Sequence, residues 1–174
     1  MQIKTKNISI DYSVRNLCRT PYPNHPKGCP NYGRKTLCPP KAALFEDVFV
    51  YPGEFWIVWI EFDFAAHCQK MRQKHPHWSQ RQIECCLYWQ NTANHMLKNE
   101  VEVLLGRMDD LQWQVTYCPE AMGVNVIETM RQLDIELEWP PVNIVRKIAV
   151  IGKKSQADPV RQAPAFLESV CFPE

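Results

Sequence analysis

The chain lacks the features that identify membrane proteins, secreted proteins and the commonest nucleotide-binding enzymes. Its longest apolar run, "FWIVWI" at 55–60, has the length of a strand, whereas a membrane helix needs about 20 predominantly apolar residues. No apolar segment follows a basic start, as it would in a secretory signal. The motifs G-x-G-x-x-G, G-x4-G-K-[ST] and H-E-x-x-H are absent too. We therefore expect a cytoplasmic protein without a recognisable flavin, nicotinamide or nucleotide motif.

What the chain does have is enough apolar material for one core. Hydrophobic residues make up 45% of its 174 residues, and six of them are tryptophans. This composition predicts a single domain over 1–174, with a mixed-composition tail at 155–174 lying on its surface. The formal charge of +1 favours no polyanionic partner for the molecule as a whole.

Strands and helices alternate along the sequence. We predict strands at 54–64, 114–117 and 144–152 and a weak strand at 3–10, because these segments are apolar, β-branched or alternating. Helices are predicted at 41–49, at 65–75 and, from an N-cap at Ser79, to about 108, and a further helix is predicted after Cys118. The fold class expected from this order is α/β, a small mixed sheet flanked by helices.

One segment fits neither a strand nor a helix. The stretch "CRTPYPNHPKGCPNYGRKTLCPP" at 18–40 contains three cysteines, six prolines and no acidic residue. Such a segment has little regular propensity and few aliphatic side chains to bury. It therefore needs some other means of keeping one shape, and in a reducing compartment grouped cysteines more often bind metal or react than form disulfides.

The spacing of Cys18, Cys29 and Cys38 is C-x10-C-x8-C. It matches neither the tight cysteine run of bacterial ferredoxins nor the C-x2-C pairs of structural zinc sites. Wide spacing suits a [4Fe–4S] cluster, whose irons are ligated separately, and three ligands would leave one iron open. Two alternatives stand beside this: a zinc ion held by the same cysteines and His25, and three ordinary loop thiols.

Two blocks of the sequence resemble a known family. "CPNYGRKTLCPP" is similar to the C-x-x-YGK-x-x-x-CPP loop of an uncharacterised family described as predicted metal-binding proteins. "CPEAMGVNVIETMRQLDIELEWPP" resembles the C-terminal segment of that family, and together the likeness covers 18–40 and 114–152. The resemblance implies metal or iron–sulfur binding and no particular reaction.

Cys118 is the next candidate, because it lies where a strand ends and a helix is predicted to begin. A thiol at a helix N-terminus has a lowered pKa. Cys118 could thus be a fourth ligand, a catalytic thiolate beside the open iron, or a cysteine of the core. Cys85 and Cys86 are adjacent on the predicted long helix, where Cys86 falls on the apolar face, and Cys68 and Cys171 belong to no pattern. We interpret these four as structural.

Cations surround the cysteines of the loop: Arg19, Lys27, Arg34, Lys35 and Lys41. Positive charge stabilises a cluster that carries thiolates. The same surface could receive an anionic small molecule, a nucleotide or an RNA phosphate, with tyrosines stacking on a base, although five cations in one loop more often form a solvated face. The function expected is therefore metal binding with sulfur handling (thiolation or desulfuration) or redox chemistry. The alternatives are a non-catalytic zinc- or cluster-stapled binding module and an electron-transfer protein.

Overall fold

Four strands form one sheet at the centre of the protein. In a computed structural model that describes residues 1–22, 25–108 and 112–156, they are β1 (Gln2–Thr5), β2 (Phe55–Asp63), β3 (Trp113–Thr116) and β4 (Ile144–Lys153). Their order across the sheet is β1-β2-β4-β3, and every pairing is antiparallel. The α/β character is confirmed, whereas the expectation of a mixed sheet is wrong.

The antiparallel pairing has a topological cause. β2 and β3 run in the same direction, as expected of strands joined by a helical crossover, but they are not neighbours. β4 inserts between them and runs antiparallel to both, so the arrangement is a split βαβ unit. The register of β2 with β4 extends from Phe55 opposite Gly152 to Asp63 opposite Ile144. This long pairing lies at the centre of the sheet.

Both faces of the sheet are covered, because residues alternate along β2 and β4 between two apolar layers. In the described residues, five α-helices accompany the strands: α1 (Phe45–Val48), α2 (Phe64–Lys74), α3 (Gln80–Ile83), α4 (Gln90–Leu105) and α5 (Val126–Arg131). One face packs against α4 through the buried residues Val58, Ile60, Ala93, Leu97, Val101, Leu104, Ala149 and Ile151. The other packs against α1, α5 and the segment before α5 through Phe45, Phe49, Phe55, Ile57, Trp59, Met122, Val124 and Met130.

The long helix expected from Ser79 to about 108 is broken in two. Ser79 does cap α3, since its side chain accepts a hydrogen bond from the amide of Gln82. The chain then leaves helical geometry at Cys85, passes through a 3₁₀ turn at Cys86–Tyr88 and re-enters a helix at Gln90. The ring of Trp89 lies 5.6 Å from that of Phe62 and packs, partly buried, at the end of β2. Packing of this aromatic residue replaces a continuous helix.

The segment after Cys118 is broken as well. A 3₁₀ helix covers Pro119–Met122, and Gly123 then adopts a φ of 97°, which ends it. A side chain at Gly123 would meet the ring of Tyr12, because a Cβ there would lie 2.4 Å from a ring carbon. Asn125 caps α5 by accepting a hydrogen bond from the amide of Glu128 at 3.0 Å. A close contact with the N-terminal part of the chain thus divides the predicted helix.

The segment between α5 and β4 is irregular, and one carboxylate organises it. Glu138 accepts hydrogen bonds from the backbone amides of Val142, Asn143 and Ile144 at 3.1, 2.8 and 3.2 Å. These bonds, together with one from the side chain of Asn143, lower the pKa of Glu138 to about 2. Glu138 therefore fixes the turn through which the chain enters β4.

The two remaining expectations have simple outcomes. No helix in the described parts of the chain is long and apolar enough to cross a membrane. Of the predicted surface tail, residues 157–174 lie outside the described residues.

Candidate functional site

Backbone hydrogen bonds hold the cysteine loop in a succession of turns. A 3₁₀ helix over Tyr12–Arg19 carries Cys18 and begins at Asp11, whose carboxylate accepts from the amide of Ser13. The amide of Gly33 donates to the carbonyl of Pro39 at 2.8 Å, and the amide of Tyr32 donates to the carbonyl of Cys29 at 3.2 Å. The prolines that exclude a helix or a strand therefore permit a compact set of turns.

Cys18 and Cys29 belong to directly paired segments of this loop. The amide of Cys29 donates a hydrogen bond to the carbonyl of Cys18 at 2.8 Å. The pairing depends on Gly28, which has a φ of 77° and lies against the backbone of Cys18 and Arg19. A Cβ at Gly28 would approach the carbonyl oxygen of Cys18 to 2.7 Å. Only glycine allows both this conformation and this approach.

Arg15 ties the third cysteine of the loop to the same unit. Its guanidinium donates to the carbonyl oxygens of Pro40 and Ala42 at 3.1 and 2.8 Å. The amide of Ala42 in turn donates to the carbonyl of Cys38 at 3.0 Å. Cys38 itself is buried, whereas Cys18 and Cys29 are half-buried. The 3₁₀ helix that bears Cys18 and the Cys-Pro-Pro segment therefore form one structural unit.

A cavity of about 610 Å³ opens beside the first two cysteines. Its lining includes the two cysteines Cys18 and Cys29 and four basic side chains, Arg19, His25, Lys27 and Arg34. The sequence contains no Asp or Glu from 12 to 44. In the described part of the chain, no ion pair involves Arg19, Lys27 or Arg34. The cavity is therefore strongly cationic and has thiols in its wall.

The loop cysteines do not form a closed ligand set for one ion. Among residues 1–22, 25–108 and 112–156, no three His, Cys, Asp or Glu side chains are grouped closely enough to hold one metal ion. No disulfide joins two of the seven described cysteines either. Thiolates are also the ligands of iron–sulfur clusters. A tetrahedral zinc ion on Cys18, Cys29, Cys38 and His25 would require these side chains to move together.

Cys118 is the residue immediately before the 3₁₀ helix at Pro119–Met122, as predicted, and it is half-buried. That helix has only four residues, so the large dipole expected at its start is missing. The location of Cys118 is a stronger reason than a helix dipole to consider it part of the candidate site. The amide of Asp11 donates to the carbonyl of Gly123 at 2.8 Å, and Tyr12 packs on Gly123. The helix that carries Cys18 is thereby docked on the segment that follows Cys118.

Cys86 was interpreted from the sequence as a core residue, and the structure places it elsewhere. It is half-buried in the 3₁₀ turn between α3 and α4. Burial first, and then the charges of Cys29, Cys86 and Cys18, raise the pKa of Tyr22 to about 12. The break of the helix, which the local sequence pattern does not reveal, thus places Cys86 in a turn instead of on an apolar helix face.

Burial and neighbouring charges together set the pKa of the Cys86 thiol. Burial raises the pKa of the Cys86 thiol, and the neighbouring Cys85 raises it further, whereas the charge of Lys147 lowers it. The remaining cysteines are distributed differently. Cys68 is buried on α2 in an apolar cluster with Phe64, as expected of a structural cysteine. Cys171 lies outside the described residues.

Comparisons of this chain with other proteins return no similar protein. No family model matches the sequence, and neither a curated protein nor a solved structure matches it.

Proposed function

We propose that this chain is an iron–sulfur protein in which Cys18, Cys29 and Cys38 ligate a [4Fe–4S] cluster. The observation that carries the proposal is the pairing of Cys18 with Cys29 on the wall of a cavity lined by cations. A thiolate-ligated cluster is anionic, so uncompensated Arg and Lys side chains favour its binding. In such a cluster each of the three thiolates would bind a separate iron.

The residues around the cluster define the chemistry that we propose for it. When bound, a cluster with three protein ligands would offer one iron with an open position. Arg19, Lys27 and Arg34 would hold an anionic substrate in the cavity, and Cys118 would act as an accessory thiolate or as the fourth ligand. We propose sulfur handling, thiolation or desulfuration of a small molecule or nucleotide, or redox chemistry as the role of this site.

The ligand set is tested by comparing two cysteine variants. We expect Cys29→Ser, purified without oxygen, to lose most of its iron and acid-labile sulfide, because a serine hydroxyl is a poor cluster ligand. The control is Cys68→Ala, which removes a thiol from the apolar cluster on α2 and should leave the iron content unchanged. Equal iron contents in the two variants would contradict the proposed ligand set.

The role of Cys118 requires a separate variant. If Cys118 is an accessory thiolate, the Cys118→Ser variant should keep the cluster's absorption near 400 nm. The same variant should lose any desulfuration of thiolated nucleotides. Loss of the absorption in the same variant would make Cys118 the fourth ligand. A cluster with four thiolates favours electron transfer over catalysis at an open iron.

A second candidate function follows from the exposure of the cations. Arg19, Lys27 and Arg34 are exposed and make no ion pair in the described residues. A zinc ion or a closed cluster could staple the loop so that it presents this basic surface to a partner. In that case Cys18→Ser should weaken partner binding, and the wild-type chain should show no turnover of any thiolated compound.

A further inference from the structure

The cavity beside Cys18 and Cys29 has the charge of an anion-binding site. Three exposed cations, Arg19, Lys27 and Arg34, line it, and His25 adds an imidazole ring. The closest carboxylates in sequence are Asp11 and Glu46, and both are engaged elsewhere, by Ser13 and Tyr12. Because these three cations form no ion pair within the part of the chain that the structure describes, a ligand with two negative charges would satisfy several of them at once.

Aromatic rings lie next to these cations. The guanidinium of Arg19 lies over the ring of Tyr32, 5.9 Å from its centroid, and Tyr32 also lines the cavity. The ring of His25 stacks on that of Tyr22 with centroids 4.6 Å apart and an interplanar angle of 29°. Rings of this kind bind planar bases by stacking, without regard to the identity of the base. The cavity thus combines a place for a phosphate with a flat apolar surface.

The size of the cavity separates small ligands from polymers. Its volume of about 610 Å³ falls within the roughly 300–1,000 Å³ typical of sites for small molecules. A single nucleotide fits this range, whereas an inorganic anion would leave much of the space and both aromatic surfaces unused.

We propose that this cavity binds a mononucleotide, with its phosphate on Arg19, Lys27 and Arg34 and its base against Tyr32 or His25. The nucleotide would be the substrate of the proposed cluster site, and in this respect the inference rests on the proposed function. The binding step itself requires only residues of the protein. Nucleotide affinity and metal content can therefore be measured independently on the same preparation.

The test is calorimetric titration of the full chain, purified without oxygen, with the common ribonucleoside 5′-monophosphates. The matched ligands are the corresponding nucleosides and inorganic phosphate. At about 50 mM salt, where screening is weak, we expect each nucleotide to bind at least tenfold more tightly than its nucleoside and than phosphate. Equal affinities for nucleotide and phosphate would overturn the proposal, and so would a single-stranded RNA oligomer that binds more than a hundredfold more tightly than any monomer.

Variants separate the two halves of the site. Removal of one charge-assisted contact in Arg34→Gln should weaken nucleotide binding by roughly tenfold. Arg107→Gln, which changes an exposed arginine just after α4, is the control and should bind as the wild type does. Tyr32→Leu should weaken nucleotide binding and leave the affinity for phosphate unchanged. An unchanged nucleotide affinity in both Arg34→Gln and Tyr32→Leu would refute the assignment.

The two proposals fail in different ways. A preparation that contains iron and sulfide but binds no nucleotide overturns this inference and leaves the cluster proposal standing. A preparation that binds nucleotide but contains no iron overturns the cluster proposal and leaves this inference standing. Tryptophan fluorescence of each variant shows whether the fold is intact. If Arg34→Gln fails this check, Arg34→Lys takes its place and should retain part of the affinity; if Tyr32→Leu fails, Tyr32→Phe takes its place as the check of the fold at this position.

Discussion

Gly28 provides the sharpest test of how the cysteine loop is built, because another glycine of the loop serves as its control. Gly28 and Gly33 both have positive φ values, 77° and 71°. An alanine at either position is therefore strained, by roughly 1–2 kcal/mol. A Cβ at Gly28 would also lie 2.7 Å from the carbonyl oxygen of Cys18, whereas nothing lies within 4 Å of a Cβ at Gly33.

The difference between the two variants isolates the close approach of the backbone segments. Overpacking against a rigid neighbour costs about 1–3 kcal/mol, so Gly28→Ala should destabilise the loop by that much more than Gly33→Ala does. The amide of Cys29, which donates to the carbonyl of Cys18, should accordingly exchange its hydrogen roughly 5- to 150-fold faster in Gly28→Ala than in Gly33→Ala.

Hydrogen exchange followed by NMR measures this directly. The amide of Val150, in the middle of β4, serves as an internal reference and should exchange as slowly in both variants as in the wild type. Equal exchange of the Cys29 amide in Gly28→Ala and Gly33→Ala would refute the described packing of the loop. Faster exchange of Val150 in Gly28→Ala would show instead that the loop and the sheet unfold together.

Three further predictions concern other parts of the chain. Arg15→Gln should speed alkylation of the Cys38 thiol roughly tenfold, because hydrogen bonds from a charged group contribute about 1.5–3 kcal/mol; an unchanged rate would mean that Arg15 does not hold the Cys-Pro-Pro segment. Asn94 on α4 is buried, and its side-chain nitrogen has no hydrogen-bond partner in the described structure. Asn94→Ala should therefore leave the free energy of unfolding unchanged or raise it by up to ~1 kcal/mol, and a loss of more than that in urea unfolding would contradict this reading. The lowered pKa of Glu138 means that its stabilising effect is present above its ordinary pKa of 4.5 and is lost as the pH falls towards about 2. Glu138→Gln should remove this acid dependence of the exchange of the Asn143 amide, and a persistent dependence would implicate another carboxyl group.

The sequence predicts the regular elements well where one local pattern dominates. The apolar run at 54–64 and the β-branched run at 144–152 predict β2 and β4 to within a residue or so. Ser79 is recognisable as an N-cap because its capping box with Gln82 is local. These elements depend on neighbours in sequence, and sequence reasoning therefore finds them.

Contacts between distant segments decide the parts that the sequence does not predict. The insertion of β4 between β2 and β3 cannot be read from local periodicity, and for this reason the sequence predicts a mixed sheet. The helix break at Cys85 depends on Trp89 packing against the end of β2. The break at Gly123 depends on the ring of Tyr12, more than a hundred residues away in the chain. Each long-range contact overrides a reasonable local preference for helix.

In the candidate site, too, local features can be predicted from the sequence and contacts between distant segments cannot. The cysteine loop, its cations and Cys118 are recognisable from composition and spacing alone. The sequence could not show that Cys18 and Cys29 are paired through Gly28, because this depends on how the turns fold against one another. It also assigned Cys86 to the core, since a continuous helix would have turned this thiol inward. The break places Cys86, half-buried, in the 3₁₀ turn between α3 and α4 instead.

The measurement that tests the central claim most directly is the metal and sulfide content of the full chain purified without oxygen. The proposal predicts about four irons and about four acid-labile sulfides per chain, as a [4Fe–4S] cluster requires, together with absorption near 400 nm. One zinc per chain and no sulfide would contradict it and would favour a zinc-stapled binding module, whereas a preparation with neither metal would leave the cysteine loop held by its backbone hydrogen bonds alone.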